Sequence, residues 1–116
     1  MSKDYYIYII ECTNSRLYTG WTLDIEKRFN EHVSGKAGAK FTRSFKPKKI
    51  VASWKLTNGT RGEALRIEAY IKSLRRAKKI DIINNPGLLV DYIKENYSSG
   101  LTVFNNNTVD ADSADN

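Results

Sequence analysis

The sequence predicts a small α/β sandwich of the α+β kind, a mainly antiparallel three-stranded sheet flanked by helices in the order β-β-α-β-α-α. Three observations predict it. An alternating run of aromatic and β-branched residues near the N-terminus leads through turn residues into a second strand-like run. Two later segments repeat apolar residues at helical spacing, and a further β-rich run separates them.

In order along the chain, Asp4 to Glu11 contains Tyr5, Tyr6, Ile7, Tyr8, Ile9 and Ile10, which predicts a central strand apolar on both faces. Thr13-Asn14-Ser15 is turn chemistry, and Arg16 to Gly20 is the returning strand of a hairpin. Thr22 or Asp24 can cap a helix running to about Val33, with Ile25, Phe29 and Val33 as its buried stripe. Gly35 to Lys49 combines glycine and proline breakers with Lys36, Lys40, Arg43, Lys46, Lys48 and Lys49, and is expected to be a mobile cationic loop. Ile50 to Leu56 is the third strand, and Asn58-Gly59 turns the chain toward Thr60, an N-cap. The second helix spans about Arg61 to Leu74 with Ala64, Ile67, Ile71 and Leu74 on one face. Shorter helices follow over Arg76 to Asn84 and Leu88 to Asn96, broken by Asn85-Pro86-Gly87. From Ser98 onward the asparagine run and small acidic residues predict a disordered acidic tail, so the folded domain is expected to be residues 1–97.

At 116 residues the chain fits one domain, so binding and chemistry must share a surface. The tail contains no Lys or Arg and three of the 13 acids, which leaves all 19 basic groups and a net charge of +9 on the first 97 residues. That excess favours polyanions as partners, although a solubilising surface would look the same. Neither a secretory leader nor a run of 18 apolar residues stands out, and the expectation is a soluble, cytoplasmic monomer that does not engage membranes. One cysteine, Cys12, and one histidine, His32, exclude a His/Cys zinc cluster. A metal would need carboxylate and water ligands, which points to magnesium or manganese.

Two places break the burial pattern. Glu68 falls four residues after Ala64 and three before Ile71, which sets a carboxylate beside the apolar face of the second helix, a costly position unless it is paired or holds a metal. Arg28 and His32 lie four apart on the first helix, bordering the Ile25/Phe29 stripe. An Arg28–Glu68 ion pair without chemistry would satisfy the same pattern.

The strings Tyr6-Ile7-Tyr8 and, nine residues later, Tyr18-Thr19-Gly20, then Arg28 and His32, then Ala64-Leu65-Arg66-Ile67-Glu68, resemble in order and spacing the motifs of the GIY-YIG nuclease superfamily. Tyr6 replaces the leading glycine of the first tripeptide, and Trp21 stands where some members carry a lysine. The resemblance covers residues 5 to about 80 and is closest to small stand-alone bacterial members, through Gly38-Ala39-Lys40-Phe41-Thr42-Arg43 and Ile71-Lys72-Ser73-Leu74. It implies the GIY-YIG fold and a divalent-metal-dependent endonuclease, a phosphodiester hydrolase acting on DNA, in repair or a related process.

It also implies roles. Glu68 would hold one Mg2+ or Mn2+, Arg28 would donate its planar fork to the scissile phosphate, and Tyr8 and Tyr18 would position the attacking water, one of them as base. His32 would assist proton transfer or contact phosphate. Lys40, Arg43 and Lys72 would bind the nucleic-acid backbone, and Phe41 or Phe45 could stack unpaired bases, so that single-stranded or branched DNA is the expected substrate. Packed core tyrosines and a surface histidine are the bland readings of Tyr8, Tyr18 and His32. A catalytically silent nucleic-acid-binding module and an RNA-processing nuclease remain the alternative functions.

Overall fold

The structure, a computed structural model, describes residues 3–34, 46–96 and 100–104. Of the loop predicted over Gly35 to Lys49, residues 35–45, with Lys36, Lys40, Phe41, Arg43 and Phe45, lie outside the described residues, as does the part of the predicted tail from 105 to 116, whereas Pro47 to Lys49 are not loop but the start of a strand that pairs with the N-terminal one. The strands are β1 (Lys3–Cys12), β2 (Leu17–Thr22), β3 (Pro47–Gly59) and β4 (Gly100–Val103), and the helices are α1 (Ile25–Ser34), α2 (Arg61–Ser73), α3 (Arg76–Asn84) and α4 (Gly87–Asn96). They form one antiparallel sheet in the order β2-β1-β3-β4, with helices on both faces.

The alternation of β1 sorts its side chains between two cores, because successive residues of a strand point to opposite faces. Tyr5, Ile7 and Ile9 join Ala52, Trp54 and Leu56 of β3 and the apolar stripes of α2, α3 and α4 on one face. Tyr8, Ile10 and Cys12 join Ile50 and the Ile25 and Phe29 stripe of α1 on the other. Each large side chain buried this way contributes about 1.5–3 kcal/mol. A register shift between Ile9↔Ala52 and Ile10↔Ile50 makes Val51 an extra residue in β3, which keeps Ile50 and Ala52 facing opposite cores. Buried Trp54 satisfies its indole N–H by donating to the Pro86 carbonyl at 2.9 Å, which ties the α3–α4 turn to the sheet.

Helix starts follow the capping chemistry that the sequence predicts. The Asp24 carboxylate accepts from the Lys27 N–H at 3.1 Å at the head of α1. Thr60 and Glu63 form a reciprocal capping box at the head of α2, a device worth about 1 kcal/mol. Asn58 adopts a positive φ of 53° in the turn before it, which a short amide side chain tolerates.

Three expectations need correction. The sheet has four strands, not three, and the order runs on through a fourth helix, α4, into a strand. The reason is that Leu101, inside the stretch read as tail, alternates into the core beside Leu56, while Phe104 turns to the opposite face and packs edge-on against Tyr6 at 5.1 Å. The Phe104 N–H donates to the Ser53 carbonyl at 2.9 Å, and the Ser53 hydroxyl donates to the Phe104 carbonyl at 2.7 Å. The folded domain therefore passes the expected boundary at residue 97. In α1 the third buried residue is His32 and not Val33, which is 39% exposed. Third, β2 runs on to Thr22, because Trp21 pairs with Ile7 and meets Tyr5 edge-on at 5.5 Å.

Candidate active site

The edge strand β2 carries a glycine where it pairs directly with Tyr8, and this absence of a side chain shapes the site. A Cβ at Gly20 would lie 2.6 Å from the Tyr8 hydroxyl oxygen and 2.8 Å from its ring carbon Cζ, so the end of the Tyr8 ring occupies the room a larger residue would need. Tyr18, two pairs along the hairpin and so on the same face, has its ring 6.4 Å from that of Tyr8. One turn of α1 closes over both: the His32 ring stands edge-on to Tyr18 at 5.0 Å and to Tyr8 at 6.0 Å.

The polar groups meet at the Tyr8 hydroxyl. The Arg28 guanidinium, which can only donate, faces the Tyr8 hydroxyl and favours negative charge on its oxygen. The same hydroxyl lies within hydrogen-bond distance of His32 Nε2, 3.1 Å away, and the imidazole tautomer sets which of the two donates. Burial, and next the charge of Arg28, hold the His32 pKa down at about 4, against the smaller opposing pull of Glu31. The imidazole is therefore neutral near pH 7. Burial foremost, then Tyr18 and Glu68, push the Tyr8 phenol well above the ordinary tyrosine range, with Arg28 acting in the opposite sense. For Arg28 burial alone would lower the pKa, but the contacts with Tyr8 and Glu31 outweigh it and raise it, so the guanidinium stays charged.

The ion pair considered from periodicity, Arg28 with Glu68, is not formed. Arg28 donates instead to Glu31 on its own helix at 3.3 Å, and Glu68 faces Lys72 on its own helix at 3.7 Å. Glu31 is the member of the site that sequence reasoning missed, although its i,i+3 spacing from Arg28 was a usable signal. Glu68 lies on α2, which covers the opposite face of the sheet, yet its charge is felt at Tyr8. The structure thus brings Tyr8, Tyr18, Arg28 and His32 together at the β2 edge, with Glu68 across the sheet but within electrostatic range of Tyr8. Lys72 is exposed beside Glu68, and Lys40 and Arg43 fall outside the described residues. His32, weighed as a surface residue, is buried at 1% exposure. A shallow groove lined by Asp24, Glu26, Lys27, Asn30, Glu31 and Ser34 runs along the outer side of α1, away from the tyrosines, and its acids do not suit a polyanion.

Among the described residues no group of three or more His, Cys, Asp or Glu side chains could enclose a metal ion. Glu68 offers one carboxylate, 17% exposed and held only by a long contact to Lys72. That donor set does not fit zinc, which wants three or four protein ligands. It fits a hard divalent cation that takes one carboxylate and fills its other positions with water and phosphate oxygens. Among the described residues no helix is long and apolar enough to cross a membrane.

A hairpin presenting two tyrosines, a helix presenting arginine and histidine, and a later helix presenting one glutamate define a class. The chain matches the family described as the GIY-YIG catalytic domain over residues 4–81, and it belongs to that family, one of nucleases. Among its relatives is a UPF0213 protein of Syntrophus aciditrophicus (strain SB), 49% identical over 87 residues that span 74% of this chain and 97% of the relative. Another is a UPF0213 protein of Halalkalibacterium halodurans, 40% identical over 72% of this chain and 86% of the relative. The solution NMR structure of a UPF0213 protein from Bacillus halodurans is 41% identical, covers 70% of this chain and 83% of that one, and superposes with a TM-score of 0.45.

Proposed function

We propose that the protein is an endonuclease that hydrolyses DNA phosphodiester bonds with the aid of one divalent metal ion, and that it prefers single-stranded or branched DNA. The observation that carries this reading is the Tyr8 hydroxyl set against both Arg28 and His32, within electrostatic range of the carboxylate of Glu68. Hydrolysis needs a proton acceptor for the attacking water, a donor to the phosphoryl oxygens and help for the leaving oxygen.

Arg28 is the phosphate donor. Its side chain is 30% exposed and, among the described residues, is paired with Glu31 and set against Tyr8, so it can turn to a phosphate without leaving a buried charge unpaired. When it does, the Tyr8 oxygen that it faced becomes available to the attacking water. With the ring proton of His32 on Nδ1, the water oxygen bonds to phosphorus as the phosphorus–oxygen bond to the leaving strand breaks; the water's proton moves to the Tyr8 oxygen, the Tyr8 proton moves to His32 Nε2, and the leaving oxygen takes a proton from solvent water. The tyrosine is then neutral before and after the step, which avoids a free phenolate that its raised pKa disfavours. Tyr18, partly exposed and packed on His32, orients the water. A magnesium or manganese ion held by Glu68 would supply Lewis-acid stabilisation of the phosphoryl charge and of the leaving oxygen.

The preference for unpaired DNA rests on a domain with many cations and no helix patterned to read base edges. The test is incubation of purified protein with single-stranded, duplex and flapped DNA and with RNA, each with Mg2+, Mn2+ or EDTA. Metal-dependent cutting that is fastest on single-stranded or flapped DNA supports the reading. Cutting of RNA alone would make it an RNA-processing nuclease, and binding without cutting under any condition would make it a silent binding module.

A further inference from the structure

Beyond the active site, α2 ends and α3 begins in a run of cations. From Ala69 to Ile80 there are five basic residues and no acid: Lys72, Arg75, Arg76, Lys78 and Lys79. Lys72 faces Glu68, but among the described residues none of the other four has an acidic partner. Arg75, Arg76 and Lys78 are exposed. They also crowd the positive end of the α3 dipole, where Arg75 gives no side-chain cap and no acid sits in the first turn. Cations repel one another and the dipole there, so the arrangement works against stability. Such a cluster is relieved by a polyanion, and among the described residues no acid does so.

The tract has a direction. Lys72 is one helical turn from Glu68, about 6 Å along α2, and Arg76 stands at the start of the next helix, several ångströms beyond the end of α2. A strand whose scissile phosphate lies at Arg28 and Glu68 would meet the tract about three nucleotides further on, at the rise per nucleotide of stacked DNA. We infer that Arg75, Arg76, Lys78 and Lys79 form a second backbone-binding surface, which holds the stretch of nucleic acid running on from the scissile phosphate. This rests on the nuclease reading, and it assigns α2's exit and α3 as the path along which the substrate is held.

The experiment measures binding of a 20-nucleotide single-stranded DNA by fluorescence anisotropy in EDTA, across a salt series, so that no cleavage is needed. The triple variant Arg75→Ala, Arg76→Ala, Lys78→Ala is compared with a charge-matched control, Lys3→Ala, Lys27→Ala, Lys94→Ala, whose lysines are exposed elsewhere. Three lost phosphate contacts reduce the slope of log K against log salt by about 2 and weaken binding about 100-fold at 0.1 M salt. The control keeps the wild-type slope, and Arg75→Lys with Arg76→Lys restores most of it. A tract variant that keeps the wild-type slope, or loses no more than the control, overturns the inference and leaves the nuclease reading standing. Wild-type protein that binds DNA without salt dependence overturns both.

Discussion

Replacing Gly20 by alanine adds one methyl group, and the geometry of the hairpin says where the damage goes. That methyl would sit 2.6 Å from the Tyr8 hydroxyl oxygen and 2.8 Å from Cζ, against ordinary contacts of about 3.5–4 Å. One partner must give about 1 Å. The strand is fixed by its pairing with β1, so the Tyr8 ring moves, and it is 2% exposed with Phe29 and Ile10 in the same core cluster. Overpacking of this kind costs about 1–3 kcal/mol, and loss of the hydrogen bond to His32 adds about 1 kcal/mol. The expected total of about 2–4 kcal/mol lowers the melting temperature by roughly 10–20 °C in a domain of this size. The assay is thermal denaturation of Gly20→Ala in wild-type and Tyr8→Leu backgrounds, since leucine has no atoms at the clash. The alanine should cost much less in the second background. Equal destabilisation in both, or a Gly20→Ala protein that melts like wild type, would refute the reasoning.

Arg28→Ala and Arg28→Lys should each slow cleavage by about 100-fold or more, the scale of one lost transition-state donor, because lysine lacks the planar fork; a wild-type rate for Arg28→Lys would reduce the residue to a generic charge. The depressed His32 pKa makes stability fall with acidity, since between about pH 6.5 and pH 4 the unfolded chain takes up a proton that the folded chain refuses. The loss should reach up to about 3 kcal/mol, level off below about pH 4, and be missing from the pH dependence of His32→Gln measured by denaturant titration. Deleting residues 100–116, or making Leu101→Ala, should destabilise the domain, the substitution by about 2–4 kcal/mol because Leu101 is buried beside Leu56; an unchanged urea midpoint would show that β4 contributes nothing.

What was legible in the sequence was local. The two-sided apolar character of β1, the Ala64–Ile67–Ile71 stripe and the Thr60 cap each follow from neighbours in the chain, and each is present. Glu68 could be placed beside that stripe by counting alone. Long-range pairing was less legible. Gly100 to Phe104 is four or five β-compatible residues before an asparagine run, too short to read as a strand, and only the exposed edge of β3 makes it one. In α1 a helical period of 3.6 places positions seven and eight after Ile25 almost equally toward the core, and hydropathy favoured Val33 over His32. The Tyr8 hydroxyl decides otherwise by giving the imidazole a buried partner. The Arg28–Glu68 pair failed for a similar reason, because each side chain has an opposite charge on its own helix at closer reach.

Glu68 is proposed as the metal-holding carboxylate of a hydrolytic site built on the tyrosine hairpin. The most direct measurement is the initial rate of cleavage of a flapped DNA in Mg2+ by wild-type protein and by Glu68→Ala, with a parallel wild-type reaction in EDTA. Wild-type cleavage should cease in EDTA, and Glu68→Ala should lose at least about 100-fold in rate while melting within a few degrees of wild type. A Glu68→Ala protein that cuts at the wild-type rate, or wild-type cutting that continues undiminished in EDTA, would contradict the account.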